Sequence, residues 1–188
     1  MLEALTAQFV ILVEGDADRV IVEAVAEKLG IELDRLGAVV VELHGADKFK
    51  NVFPLLGPDG FGPTLLGLVD EKESGSWFNA FKGKKKTIVN NKIFVSEIDL
   101  EDEYSRALGG PAVARVLISG GLCREQGILQ STRAKTIEEI SAEAAAEFCR
   151  GKKVEAATCV SEALTPEEAE KIDSVARLLH GLDELSQQ

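Results

Sequence analysis

From residue 9 to about 100 the chain alternates short apolar runs with stretches of helical periodicity, which predicts βαβ units around a parallel sheet. FVILV at 9–13 is a first strand, apolar at every position as a central strand with both faces covered should be. Over 17–29, Val20, Ile21, Ala24, Val25 and Leu29 share one helical face, and Gly30 supplies a stop. GAVVVEL (37–43) predicts a second strand, ADKFKNVFPLL a helix interrupted at Pro54, and PTLLGLVD (63–70) a third strand. Residues 71–92 break the rhythm with Gly75, Gly83 and the run Lys84, Lys85, Lys86, and are expected to form a surface excursion. KIFVSEI (92–98) is a fourth strand, leading into DLEDEYSRAL, where Asp99 can cap a helix whose acidic first turn suits the helix dipole.

Beyond Gly109 and Gly110 the β pattern fades. ARVLIS (114–119) fits a short strand or a helical turn, and TIEEISAEAAAEFC reads as one helix. VEAATCVSEAL and TPEEAEKIDSVARLLHGLDEL predict two more, the latter opened by the capping box of Thr165 and Glu168 with Pro166 between them. Leu178, Leu179, Leu182 and Leu185 form a stripe expected to pack on the domain, with a dimer seam as the alternative. The predicted class is α/β: a mostly parallel, Rossmann-like sheet flanked by helices over residues 1–110, with a helical extension over 111–188 packed on it.

Three of these strands run into acids. Glu14 closes the first, followed by Gly15 and Asp18; Asp70 closes the third; Asp99, Glu101, Asp102 and Glu103 follow the fourth. In a parallel sheet all of them lie at the carboxyl edge, where open α/β sheets hold ligands. Hard carboxylate oxygens suit Mg²⁺ or Mn²⁺, and two such ions ~4 Å apart can activate a water and stabilise the leaving oxygen in phosphodiester hydrolysis. Taken singly, Asp18 or Asp70 reads as a cap or a solvated loop residue. A carboxylate ending an apolar strand, as Glu14 does, has no such packing reason.

Composition narrows the classes further. With 188 residues, 45% of them hydrophobic, the chain can bury one sizeable core. A net charge of -11 argues against gripping nucleic acid by bulk electrostatics, so an anionic substrate would need cations as intermediaries. Cys123, Cys149 and Cys159 are widely spaced without a CxxC pair, which suggests neither a disulfide framework nor a thiolate zinc site and fits a reducing cytoplasm. No apolar run reaches the roughly 20 residues of a membrane span, and the opening MLEALTAQ lacks the basic region of a signal peptide. His44 and His180 fall far apart in different elements, so a histidine-based site is not expected. Lys82, Lys84, Lys85 and Lys86 beside Trp77, Phe78 and Phe81 could grip a nucleic-acid strand, or form a solvated loop.

The order VEGDAD, LHGADKFKNVFPLL, LLGLVDEKE, IFVSEIDLEDEY resembles the Toprim domain of topoisomerases, primases and several nucleases, and more closely the Toprim region of the OLD (overcoming lysogenisation defect) family endonucleases, from residue 9 to about 108. The resemblance implies a Toprim fold and DNA cleavage assisted by two divalent ions, Mg²⁺ or Mn²⁺. It implies Glu14 and Asp18 as the acidic pair of the first motif, with Glu14 nearest the chemistry. Asp70 then matches the first acid of a DxD motif, and Asp99 and Glu101 the acids of a DLE segment, all as metal ligands. Lys153, or in its place Lys152, would assist catalysis from the helical tail. Gly45 and Lys48 match a glycine-rich segment, which adds Lys48 to Lys84, Lys85 and Lys86 as nucleic-acid contacts.

One departure from the family pattern is Lys72, where the second acid of DxD belongs. Either Glu71 or Glu73 substitutes as a ligand, or the chain is a degenerate module that binds nucleic acid or a partner protein without cleavage. The ABC-type ATPase that accompanies the family's Toprim domain has no GxxxxGK[ST] loop here, so it would be a separate domain or a protein in trans. DNA, that ATPase and a second copy of the chain are the expected partners, with no membrane. Receiver-like phosphoryl-transfer proteins also gather acids at strand ends, but they place aspartates where this chain has Glu14.

Overall fold

The computed structural model describes residues 4, 6–45, 48–56, 62–82 and 92–188. Four strands, β1 (Phe9–Val13), β2 (Ala38–Glu42), β3 (Thr64–Asp70) and β4 (Lys92–Ser96), form one sheet in the order β2-β1-β3-β4. Every neighbouring pair is parallel. The first three strands are each followed by a helix: α1 (Asp16–Lys28), α2 (Phe49–Leu56) and α3 (Glu71–Lys82). The chain leaves β1 toward β2 and then returns across it to β3. The carboxyl ends of β1 and β3 therefore flank a switch point, where a doubly wound sheet opens a crevice.

Alternation along the strands divides the apolar side chains between two layers. Phe9, Ile11, Val13, Leu66 and Leu68 face α1 and the helices that follow β4, whereas Val10, Leu12, Leu65 and Val69 face Leu56 of α2 and Trp77 of α3. The parallel sheet and its both-faces-buried central strands are as the sequence pattern predicts. So is α1, which buries Ile21, Ala24 and Val25 and ends at a left-handed Gly30.

Seven helices follow β4: α4 (Leu100–Leu108), α5 (Gly110–Ser119), α6 (Glu125–Thr132), α7 (Ala142–Arg150), α8 (Lys153–Ala163), α9 (Pro166–Glu170) and α10 (Asp173–Ser186), with a 3-10 turn at Ile137–Glu139. They bury residues such as Val113, Ile128, Val160, Ile172 and Leu179 in the same continuous core as β1 and α1. Leu178, Leu179 and Leu182 are fully enclosed there and Leu185 partly so, and this stripe packs on its own fold.

Several local expectations are corrected. Helix α3 occupies most of the stretch predicted as a surface excursion; among its described side chains the enclosed Trp77 fastens it to the sheet against Gly67. Pro54 does not interrupt α2, which continues to the buried Leu56. ARVLIS is helical, within α5, which begins with Pro111 in its first turn. TIEEISAEAAAEFC is split, because the Ser141 hydroxyl accepts the Ala144 N–H at 3.2 Å and starts α7 afresh. The last predicted helix is likewise two: the Thr165–Glu168 capping box opens α9, but Ile172 leaves helical geometry to reach the core before α10 begins. Among the described residues no helix is long and apolar enough to cross a membrane.

Candidate functional site

The acids at the ends of β1 and β3 meet directly. Glu14 Oε1 accepts the backbone N–H of Asp70 at 3.3 Å, tying the two strand ends across the switch point. In the first turn of α1, Asp18 accepts the Gly15 N–H at 2.9 Å, which folds its carboxylate back toward Glu14. Glu14, Asp18, Asp70, Gly45 and Lys153 line one pocket of about 230 Å³. Lys153 enters from the start of α8, and its Nζ lies 3.2 Å from Oε2 of Glu101 in the first turn of α4. Roomier hollows occur elsewhere, including one of about 390 Å³ over β4, but the Arg106 and Arg177 that line it are already paired to Glu97 and Asp173. Chemistry favours the smaller pocket.

Electrostatics sets this pocket apart. Burial, reinforced by the charges of Glu14 and Asp18 and opposed by Lys153, pushes the Asp70 carboxyl up to about 7. Asp18 is pushed up to about 6, again by burial first, with Glu14 and Glu101 adding to it against the Gly15 N–H. Glu14 moves the same way through burial and the nearby Glu73 and Glu101, while the Asp70 N–H and Lys153 restrain it. Lys153 rises although burial works against its charge, because Glu101, Asp70 and Asp18 surround it. Carboxylates held this close share a deficit of positive charge. Their hard oxygen donors fit a divalent cation of the Mg²⁺ or Mn²⁺ type.

The other predicted residues fall in three places. Asp99 is a cap and an ion-pair partner: its Oδ1 accepts from Asp102 N–H at 2.9 Å and from Arg150 Nη2 at 3.0 Å, and its Oδ2 from Arg150 Nε at 2.6 Å. Burial alone would raise its carboxyl, but Arg150 and the cap hold it below the ordinary range. A metal there would have to displace Arg150. Glu71, Lys72 and Glu73 are exposed in the first turn of α3, with the charge of Glu73 felt at Glu14. Lys48 is exposed, its N–H bonded to the Gly45 carbonyl at 3.1 Å. Lys84, Lys85 and Lys86 lie outside the described residues.

Sequence reasoning missed two features. Arg150, the partner of Asp99, comes from α7, and nothing in its local sequence points to α4. Among the described residues, the one trio of ligand-type side chains with donor atoms all within 4.8 Å of one another is Asp16, Glu42 and His44, not a set drawn from the predicted acids. Glu42 ends β2 and His44 follows it, so the signal was there: the remaining strand also runs into an acid, next to a histidine.

A parallel sheet of order β2-β1-β3-β4 with acids converging at the ends of β1 and β3 defines a Toprim domain. Residues 5–71 match the family model described as "Overcoming lysogenization defect protein-like, TOPRIM domain". The matched residues hold the first and third strands and the acids Glu14, Asp18 and Asp70, where the motifs resemble that family. The whole described fold is similar to the C-terminal region of the Burkholderia pseudomallei OLD protein, with a TM-score of 0.72 at 22% identity over 96% of this chain and 98% of that one. It is similar also to the C-terminal region of the Xanthomonas campestris pv. campestris OLD protein, with a TM-score of 0.70 at 25% identity over 98% of each chain. No curated protein matches the sequence.

Proposed function

We propose that this chain is a divalent-metal-dependent nuclease that hydrolyses phosphodiester bonds in DNA. The observation that carries the reading is the joining of Glu14 to Asp70 across the switch point, in a pocket that also holds Asp18 and the Lys153 ammonium. Glu14, Asp18, Asp70 and, once Lys153 turns away, Glu101 would hold the ions, two of Mg²⁺ or Mn²⁺. Bound there, such ions supply charge neutralisation for the phosphate and a more acidic water.

The chain's own groups do the rest. Glu14 keeps Oε2 free of the Asp70 N–H and is the acid best placed to hold or accept a proton at the scissile phosphate. Lys153 Nζ, half exposed at the pocket wall, can stabilise charge developing on the phosphorane. Asp99 would serve by fixing the start of α4, and so the position of Glu101, through its cap and Arg150. Of Glu71 and Glu73, Glu73 would be the substitute for the acid missing at Lys72, a choice supported by its charge acting on Glu14. Lys48 and the run Lys84, Lys85, Lys86 would meet the DNA backbone. Residues 1–110 would be the catalytic unit and 111–188 the extension that completes its core; an ABC-type ATPase, fused or in trans, and a homodimer are the proposed assembly partners.

Nicking of supercoiled plasmid in Mn²⁺ or Mg²⁺ tests this directly. The wild type should cut, Glu14→Ala and Asp70→Ala should lose cutting, and Glu73→Gln should lose more than Glu71→Gln. Equal rates for the wild type, Glu14→Ala and Asp70→Ala would remove the proposal. No cutting, with DNA retained, would favour a binding module in which Lys72 marks a degenerate site.

A further inference from the structure

Beside the acidic pocket, at the adjoining strand end, lies a second group with different chemistry. Asp16 is the first residue of α1, Glu42 the last of β2, and His44 follows two residues on. Their ligand atoms lie within 4.8 Å of one another, and His44 Nδ1 is 4.0 Å from Asp16 Oδ1. We infer that Asp16, Glu42 and His44 form a separate binding site for a borderline divalent transition-metal ion, with Zn²⁺ as its representative.

Backbone anchoring makes the trio more than a chance meeting of surface groups. Val13 pairs with Glu42 in the parallel register, Leu43 N–H donates to the Val13 carbonyl at 2.9 Å, and Gly45 N–H donates to the Glu14 carbonyl at 3.0 Å. His44 is thus held between two hydrogen bonds to the end of β1, the same end from which Asp16 departs. Glu42 is steadied by Arg19, whose Nη1 donates to Oε2 at 3.3 Å while its Nε is paired with Glu23 at 2.8 Å. The carboxylate also accepts Glu42's own backbone N–H, so an ion would share it with these donors, and outer hydrogen bonds that orient a ligating carboxylate are common at metal sites.

The donor set decides the class of ion. An imidazole with two carboxylates suits Zn²⁺, Ni²⁺ or Mn²⁺ better than Mg²⁺, which prefers oxygen and retained water. With metal–ligand bonds of about 2.0–2.2 Å, a tetrahedral site separates its donors by roughly 3.4 Å. The 4.0 Å between His44 and Asp16 closes by about half an ångström, within the rotamer freedom of two side chains that are 62% and 58% exposed. Three protein ligands leave a fourth position to solvent, as in sites that exchange an outer ligand.

The inference does not rest on the nuclease reading: Asp16 borders the acidic pocket, but Glu14, Asp18 and Asp70 are not ligands in the trio. The chain contains two histidines, so ¹⁵N spectra of the imidazoles, assigned with His44→Gln, report on the site without any activity. Titration with Zn²⁺ alone should shift or broaden the His44 nitrogen resonances at a concentration that leaves His180 unmoved. Asp16→Asn and Glu42→Gln should each raise the Zn²⁺ concentration needed about tenfold or more, while Glu14→Gln and Asp70→Asn leave it unchanged. A His44 signal that ignores saturating Zn²⁺, or that responds in Asp16→Asn and Glu42→Gln at the same Zn²⁺ concentration as in the wild type, overturns the site. Loss of the response in Glu14→Gln or Asp70→Asn overturns its independence from the acidic pocket. Failure of the plasmid assay, with the His44 response intact, would leave this site standing and the nuclease reading fallen.

Discussion

Lys153 Nζ lies 3.2 Å from Oε2 of Glu101, a carboxylate side chain only 3% exposed, while the lysine itself is 50% exposed. The pair joins the first turn of α8 to the first turn of α4 and places an ammonium against the acids of β1 and β3. Removing one partner of a buried pair leaves the other charge uncompensated, at ~3–5 kcal/mol when both are enclosed. With a half-exposed lysine, Lys153→Met should cost about 2 kcal/mol in urea unfolding. Adding Glu101→Gln should restore much of that loss, since the enclosed Glu101 charge left without its lysine is then removed. Equal stability of Lys153→Met and the wild type would mean that the pair does not matter to the fold.

Arg150 and Asp99 make the second link between the late helices and the acidic segment. The arginine donates twice to one carboxylate that also caps α4. Charge-assisted bonds of this kind contribute about 1.5–3 kcal/mol, so Arg150→Met should lower stability by about 2 kcal/mol. The Asp99 carboxyl, freed of the arginine, should titrate higher in an NMR pH series, because burial would then dominate.

Gly67 is the point where β3 passes beneath Trp77. A Cβ added there would sit 2.6 Å from Trp77 Cζ3. Gly67→Ala should cost about 1–3 kcal/mol through overpacking. Trp77 is the single tryptophan of the chain, so its fluorescence should shift to the red as α3 is pushed off the sheet. An unchanged emission maximum would contradict the packing described.

The acids of the pocket give stability a definite pH dependence in the absence of metal. Unfolded, Asp70 releases its proton near its ordinary value of 3.8; folded, it keeps it to about 7. Asp18 behaves likewise up to about 6. Between these limits the folded state binds more protons, so these groups make stability fall as pH rises from about 4 to about 7. Urea unfolding in EDTA should show a shallower fall for Asp70→Asn than for the wild type. Mg²⁺, which favours the ionised carboxylates, should stabilise the wild type more at about pH 7.5 than at about pH 5.

Most of the sheet was legible because apolar runs with both faces covered, such as FVILV and TLLGLVD, look like little else. Glu14 and Asp70 were legible for the same reason: an acid ending such a run stands out. What escaped depended on distant partners. α3 is held by Trp77 and is otherwise rich in polar residues, and so reads as polar loop. The break before α10 follows from the core's hold on Ile172, and the occupation of Asp99 from Arg150, 51 residues away. Asp16, Glu42 and His44 escaped because only the pairing of β1 with β2 brings Asp16 beside the other two.

The account stands or falls on whether the acids of β1 and β3 take up a divalent cation. Calorimetric titration of Mn²⁺ into the His44→Gln chain, which silences the neighbouring trio, measures that directly. Saturable uptake is predicted, weakened about tenfold or more when Asp70→Asn is added. An isotherm unchanged by Asp70→Asn, or no uptake at millimolar Mn²⁺, would contradict it.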